Sequence, residues 1–341
     1  MRLPPRWLRR LLIDPAITLL VVLAAVSLPL WAIAAAFISR YVPGKWRILR
    51  LTWFLFLYLA VEALALIIMF ALWIGSGFGW KMRSPAFQSA HYWLLGWILR
   101  LVIGSAKRSF RLEVEIESPP PVTAGDADRR PILVMSRHAG PGDSMLLMDA
   151  LCNGYQRQPR IVLKDFLQWD PAVDVILNRL PASFVPTARG ADKDPVVEAI
   201  AHLAGTMDAD DAFVIFPEGA NFTHRRRERA IQKLIEIGRP DLAERASDLK
   251  LTLPPKAKGV MTALSTAPAV SEAFFVGHAG LESFITAADI WRAMPMDTTV
   301  AVRIWHYTAD SIPPPEQQEA WLFDVWGEID SWIEGRLAVT G

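Results

Sequence analysis

The chain has 341 residues, enough for one large domain plus an anchor or for two small domains. Hydrophobic residues make up 52% of it and the mean hydropathy is +0.24, high for a water-soluble enzyme, which points to apolar sequence that meets lipid. A net charge of +1 argues against a dedicated nucleic-acid binder, and a single cysteine, Cys152, excludes an intrachain disulfide and a Cys-rich zinc site.

In chain order, residues 15–38 carry no charge. A helix of that length spans a hydrocarbon core of ~30 Å with some tilt. Arg2, Arg6, Arg9 and Arg10 precede it, but the run is longer than a signal-peptide core, so an uncleaved helix is expected. Residues 51–80 form a second apolar run, broken only by Glu62, which is expected to be buried between packed helices. Basic residues flank both runs, so loop charge sets no orientation, and two crossings or a shallow hairpin both fit. Residues 87–103 read as an amphipathic helix at the membrane surface or against the domain that follows. The chain thus divides into a membrane anchor (1–83), a surface helix and connection (84–117), a Pro- and Gly-rich linker (118–130) and an α/β domain (131–341).

Within that domain, strands are expected at 132–135, 160–163, 183–186, 213–216, 273–276 and 300–306. Helices are expected between them at 143–152, 194–207, 225–237 and 255–265, and an amphipathic helix over the tail, 316–337. Short apolar strands alternating with amphipathic helices indicate an α/β fold whose sheet is covered on both faces.

Two stretches carry residues fit for chemistry. The first is Ser136-Arg137-His138-Ala139-Gly140-Pro141-Gly142-Asp143, between a strand and a helix. The glycines and proline allow a tight turn that brings the Asp143 carboxylate back to the His138 ring. A carboxylate on one ring nitrogen fixes the tautomer and leaves the other nitrogen as a base. No serine completes a triad, so the hydroxyl is expected to come from the substrate. The plainer reading is an Asp143 that caps the following helix and a loop histidine. The second stretch is Phe216-Pro217-Glu218-Gly219-Ala220-Asn221, a turn at a strand's carboxyl end, followed by Arg225, Arg226, Arg227 and Arg229. Open α/β sheets place ligands there, and a helix starting near His224 would favour an anion. The plainer reading is a turn and a solvated basic helix.

In order and setting, these two stretches resemble the motifs of the 1-acylglycerol-3-phosphate acyltransferase family, the lysophospholipid acyltransferases. His138 and Asp143 match its His-x4-Asp block, and Phe216, Pro217, Glu218 and Gly219 its Phe-Pro-Glu-Gly block. Lys164-Asp165-Phe166-Leu167 looks like its Lys-x-x-Leu element, residues 183–189 like its second block, and residues 253–276 like its fourth. Two positions depart from the pattern: Arg189 lies two residues late, and Gly-Ala-Asn stands where Gly-Thr-Arg is usual. The resemblance implies a mixed sheet covered by helices and a membrane-bound enzyme. It implies transfer of a fatty acyl group from acyl-CoA or acyl carrier protein to a lysophospholipid hydroxyl. His138 would be the general base and Asp143 its orienting partner. Glu218, Gly219, Arg189, Lys164, Arg225, Arg226 and Asn221 would bind substrate, and amides near Gly140 or Gly219 would hold the oxyanion. No metal or redox cofactor is implied, Cys152 is expected in the core, and the catalytic domain should face the cytosol. The rival readings are a non-catalytic lipid-binding protein on the same fold and a metal-dependent hydrolase using His138, Asp143 and Glu218.

Overall fold

The structure, a computed structural model, describes residues 3–117, 129–140, 142–186, 195–284 and 287–340. Three long helices come first: α1 (Arg6–Ser39), α2 (Arg47–Gly75) and α3 (Pro85–Phe110). Helix α1 begins well before the uncharged run, because its basic first turns have partners on the α/β domain. Arg9 pairs with Asp174 at 2.7 Å and Arg10 with the same carboxylate at 3.3 Å, while Arg6 donates to Asn178 at 2.6 Å. The turn between α1 and α2 also touches that domain. Lys45 pairs with Asp297 at 2.9 Å, and Arg47 donates to the carbonyls of Arg292 and Met294. Helices α1 and α2 are both long and apolar enough to cross a membrane. The outward side of α1 exposes Leu19, Leu23, Val26, Leu30, Ile33 and Phe37. Glu62 is buried where α2 packs on the domain, in keeping with the expectation for it.

Helix α3 runs past both ends of the predicted segment and packs between α2 and the domain, burying Tyr92, Leu94, Leu99 and Val102. After it comes β1 (Leu112–Glu117), a strand absent from the sequence reading. Its Leu-Glu-Val-Glu-Ile-Glu alternation suits an edge strand with one face packed. The sheet therefore begins before the predicted linker, whose residues 118–128 lie outside the described ones.

The remaining strands are β2 (Ile132–Ser136), β3 (Gln158–Lys164), β4 (Ala182–Val185), β5 (Asp211–Ile215), β6 (Glu272–Ala279) and β7 (Thr298–Tyr307). All six fall on the predicted ones. They form one seven-stranded mixed sheet in the order β1-β7-β6-β2-β5-β3-β4, parallel except where β6 meets β7. Strand β2 is apolar and buried on both faces, as a central parallel strand must be. One face packs Leu133, Phe213 and Phe275 against α6 (Pro195–Gly205), α9 (Ala257–Thr266) and α11 (Gln318–Thr340). The other sets Val134, Val214 and Val276 against α4 (Asp143–Asp149) and the π-helical turn Ala150–Gly154 that continues it. Five further elements among the described residues were not expected: the 3₁₀ turns Asp165–Trp169 and Ala309–Ser311, α5 (Pro171–Leu177), α8 (Pro240–Asp248) and α10 (Ala287–Ala293). The predicted basic helix is α7 (His224–Glu236).

Candidate active site

Strand order assembles the site. The neighbours β6, β2 and β5 all point the same way, so their carboxyl ends meet at one edge, where an open α/β sheet offers a crevice. His138 follows β2, and Phe216 to Gly219 follow β5. The two sequence blocks, about 80 residues apart in the chain, thus become adjacent loops.

Gly142 has φ +93°, a left-handed conformation that glycine adopts without cost, and it turns the chain into α4. Asp143 is the first residue of α4 rather than its cap, and its carboxylate reaches back over the loop. His138 Nδ1 lies 2.9 and 3.0 Å from the two Asp143 oxygens, and Nε2 has no partner among the described residues. The Phe216 ring lies beside the imidazole, 5.0 Å between centroids. Asp143 also accepts from the amides of Ala139 (2.9 Å), Gly140 (3.2 Å) and Ser144 (2.5 Å), and from the Ser144 hydroxyl (3.1 Å). Burial opposes its ionisation, at several kcal/mol for a carboxylate in a protein interior. Hydrogen bonds to a charged group contribute about 1.5–3 kcal/mol each. Those bonds, with His138 foremost and the nearby His278, prevail and hold Asp143 below the usual carboxylate range.

Glu218 shows the opposite balance. It is 2% exposed and has two amide donors, His138 N–H at 3.2 Å and Leu253 N–H at 3.0 Å. Burial outweighs these and the neighbouring Arg137, and pushes its carboxyl up to about 7. Glu218 was expected to bind substrate. The structure instead sets it beneath the loop, as a strut joining the His138 backbone to residue 253. Gly219, at φ +66°, turns the chain beside it. A side-chain carbon added at Gly219 would fall 2.5 Å from the Lys256 ammonium. Of the amides around the two glycines, Gly140 N–H is engaged by Asp143 and Gly219 N–H by the Phe216 carbonyl at 3.0 Å.

The other expected substrate residues spread around this edge. Lys164 is exposed at the end of β3, paired with Val185, and β3 is the strand next to β5. Thr223 caps α7, accepting from Arg226 N–H at 3.2 Å. Arg225 and Arg226 are exposed in its first turn, and Arg226 folds back to the Asn221 carbonyl at 2.9 Å. Arg227 instead turns inward to the carbonyls of Ser247 and Leu249. Arg189 lies outside the described residues. Cys152 sits in the π-helical turn, where burial, then Asp149, pushes its thiol up to about 12, which suits a structural rather than a nucleophilic role.

Three features escaped the sequence reading. Lys256 supplies a cation next to Gly219, and its only signal was the neighbouring prolines. Arg137 is fully buried and ties the loop to the His278 carbonyl, the Leu251 carbonyl and Glu282. The third is a groove of about 930 Å³ between the sheet and α4. Asp143, Ser136 and His278 stand at one end of it, Glu272 and His306 at the other, with apolar walls such as Val134, Leu147 and Val302 between. His138 is not among its lining residues but is bonded to Asp143, which is. At ~3.3 Å per residue, the stretch of β6 from Glu272 to His278 makes it roughly 20 Å long. Half of a ~30 Å bilayer core, the depth of one fatty acyl chain, is comparable.

Residues 111–264 match the family model described as Acyltransferase. No curated protein and no solved structure matches the chain. The matched segment runs from the start of β1 through His138, Asp143, Glu218 and Gly219 into α9.

Proposed function

We propose that the protein moves a fatty acyl group from a thioester donor, acyl-CoA or acyl carrier protein, to the free hydroxyl of a lysophospholipid such as 1-acylglycerol-3-phosphate. The observation that carries this reading is the His138–Asp143 pair beside a groove of acyl-chain length, which Asp143 helps to line. Asp143 holds Nδ1 as donor, so Nε2 is the basic nitrogen. Nε2 takes the proton from the acceptor hydroxyl as its oxygen attacks the thioester carbonyl. The tetrahedral intermediate then collapses, the C–S bond breaks and the thiolate leaves, taking up a proton from the imidazolium. Asp143 compensates the imidazolium meanwhile, and no acyl-enzyme is needed. Lys164, Lys256, Arg225 and Arg226 surround the same edge with positive charge, which suits a phosphate on the acceptor or the donor.

The anchor supports a membrane setting. The start of α1 and the α1–α2 turn both bind the α/β domain, so a hairpin crossing the bilayer away from that domain would break one set of contacts. The contacts favour a hairpin lying along the domain, with α1's apolar side in the leaflet; the domain would face the cytosol because both donors occur there.

The test is incubation of detergent-solubilised protein with palmitoyl-CoA or palmitoyl carrier protein and a panel of lysophospholipids, with products identified by mass. One diacyl product formed from a single donor and acceptor class is expected. Thioester hydrolysis without transfer to any acceptor would overturn the reading.

A further inference from the structure

Beside the expected pair stands a second histidine, His278, which belongs to neither sequence block and lies outside the matched segment. Strand β6 runs next to β2, with Val276 level with Ser136, so His278 comes up beside the residues that follow β2. It and Arg137 hold each other at two points. The Arg137 guanidinium donates to the His278 carbonyl at 2.6 Å, and His278 Nε2 lies 3.3 Å from the Arg137 carbonyl. The same Nε2 is 3.8 Å from Asp143 Oδ2. Both groups facing Nε2 are acceptors, so Nε2 carries the proton. Arg137 immediately precedes His138, and Asp143 orients it. One imidazole edge therefore bonds the backbone that bears the base and faces, across 3.8 Å, the carboxylate that aligns it.

The surroundings fix the charge state as well. His278 is buried, and burial, then the Arg137 cation, hold it neutral, below its ordinary pKa. Glu282 bonds Arg137 and the Gly280 amide, and so engages the cation. The charged or titratable groups around this cluster are thus Arg137, Glu282, Asp143 and His138. A charged imidazolium there would compete with His138 for Asp143. A neutral imidazole, its N–H bonded to the Arg137 carbonyl, leaves the carboxylate's charge to His138.

We infer that His278 is a positioning residue for catalysis, holding the His138 backbone through its N–H bond to the Arg137 carbonyl and lying beside the Asp143 carboxylate. This rests on the acyl-transfer reading of His138. Two variants separate positioning from mere filling of space: His278→Leu removes the donor at similar volume, and His278→Gln keeps an N–H near the place of Nε2. The leucine variant should lose roughly 10- to 100-fold in kcat, the scale at which outer-shell partners act, with both KM values little changed. The glutamine variant should recover most of that loss. A folded leucine variant with wild-type kcat would overturn the inference, and so would leucine and glutamine variants equally impaired. A measurement on the wild type needs neither variant nor substrate. The chain has six histidines, so ring ¹⁵N spectra of histidine-labelled protein are tractable. One ring should remain the neutral, Nε2-protonated tautomer from about pH 5 to about pH 8 and vanish in His278→Gln. A His278 protonated on Nδ1, or on both nitrogens across that range, would contradict the inference even if no acyl transfer were found.

Discussion

Asp143 and Glu218 brace the same loop, and the number of donors around each decides its state. Asp143 has five and stays ionised; Glu218 has two and is pushed up to about 7. The sign for stability follows from linkage. The folded state holds the Glu218 proton more tightly than the unfolded chain does. Its contribution is therefore fully present below the ordinary carboxyl range and is lost as pH rises through about 7. The loss is of order 3 kcal/mol at most. Unfolding at about pH 5 and about pH 8 should show Glu218→Gln losing less stability than the wild type on going to the higher pH. A stability gap independent of pH would refute the assignment. Asp143→Asn should lower kcat by ~10²–10⁴, because the base loses its tautomer control; a folded variant with wild-type turnover would contradict that role. His138 and Asp143 were legible in the sequence because their geometry is local, one tight turn between strand and helix. Glu218 was legible as part of a motif but not as a strut, since its partners lie far away in the chain. His278 left no signal, being a polar residue near the end of a mostly apolar strand whose neighbour only the sheet order reveals.

At the scale of elements, α7 carries the clearest consequence. Thr223 caps it and so sets where Arg225 and Arg226 stand. Thr223→Ala should cost about 1 kcal/mol of stability, seen as a lowered unfolding midpoint. Replacing Arg225 and Arg226 together by Gln should raise the acceptor KM more than it lowers kcat. An unchanged KM would remove that turn from the acceptor site. The six strands β2 to β7 were legible because each is an apolar run bounded by turn residues, and α4, α6, α7, α9 and α11 because of their helical periodicity. Strand β1 was hidden although its alternation is regular, since it stands before a proline-rich stretch that reads as a boundary. Helix α5 was missed for a different reason. It is seven residues long, its buried Asp174 looks polar in sequence, and the partners that satisfy that carboxylate, Arg9 and Arg10, come from the first turns of the chain.

For the molecule as a whole, the anchor and the α/β domain form one contact network. The Arg9–Asp174 pair is buried, at 6% and 2% exposure. Removing one partner of such a pair costs about 3–5 kcal/mol. Arg9→Ala should therefore free the start of α1 and expose it to limited proteolysis; an unchanged digestion pattern would contradict that docking. The topology has its own test. With Cys152 changed to Ser, a single cysteine at Lys45, which is exposed, should react with a membrane-impermeant thiol reagent on the side of the catalytic domain. A two-span crossing places it on the opposite side. The length of the apolar runs was plain in the sequence, but their docking was not, because it depends on ion pairs between residues more than 160 positions apart. The central claim is that His138 acts as the base for acyl transfer out of the groove. It is tested most directly by single-turnover transfer from a labelled long-chain acyl thioester to the lysophospholipid acceptor, comparing wild type with His138→Ala at matched folding. A loss of at least ~10²-fold in the chemical step, with donor binding retained, is the expected result. A variant that keeps half the wild-type rate would contradict the account.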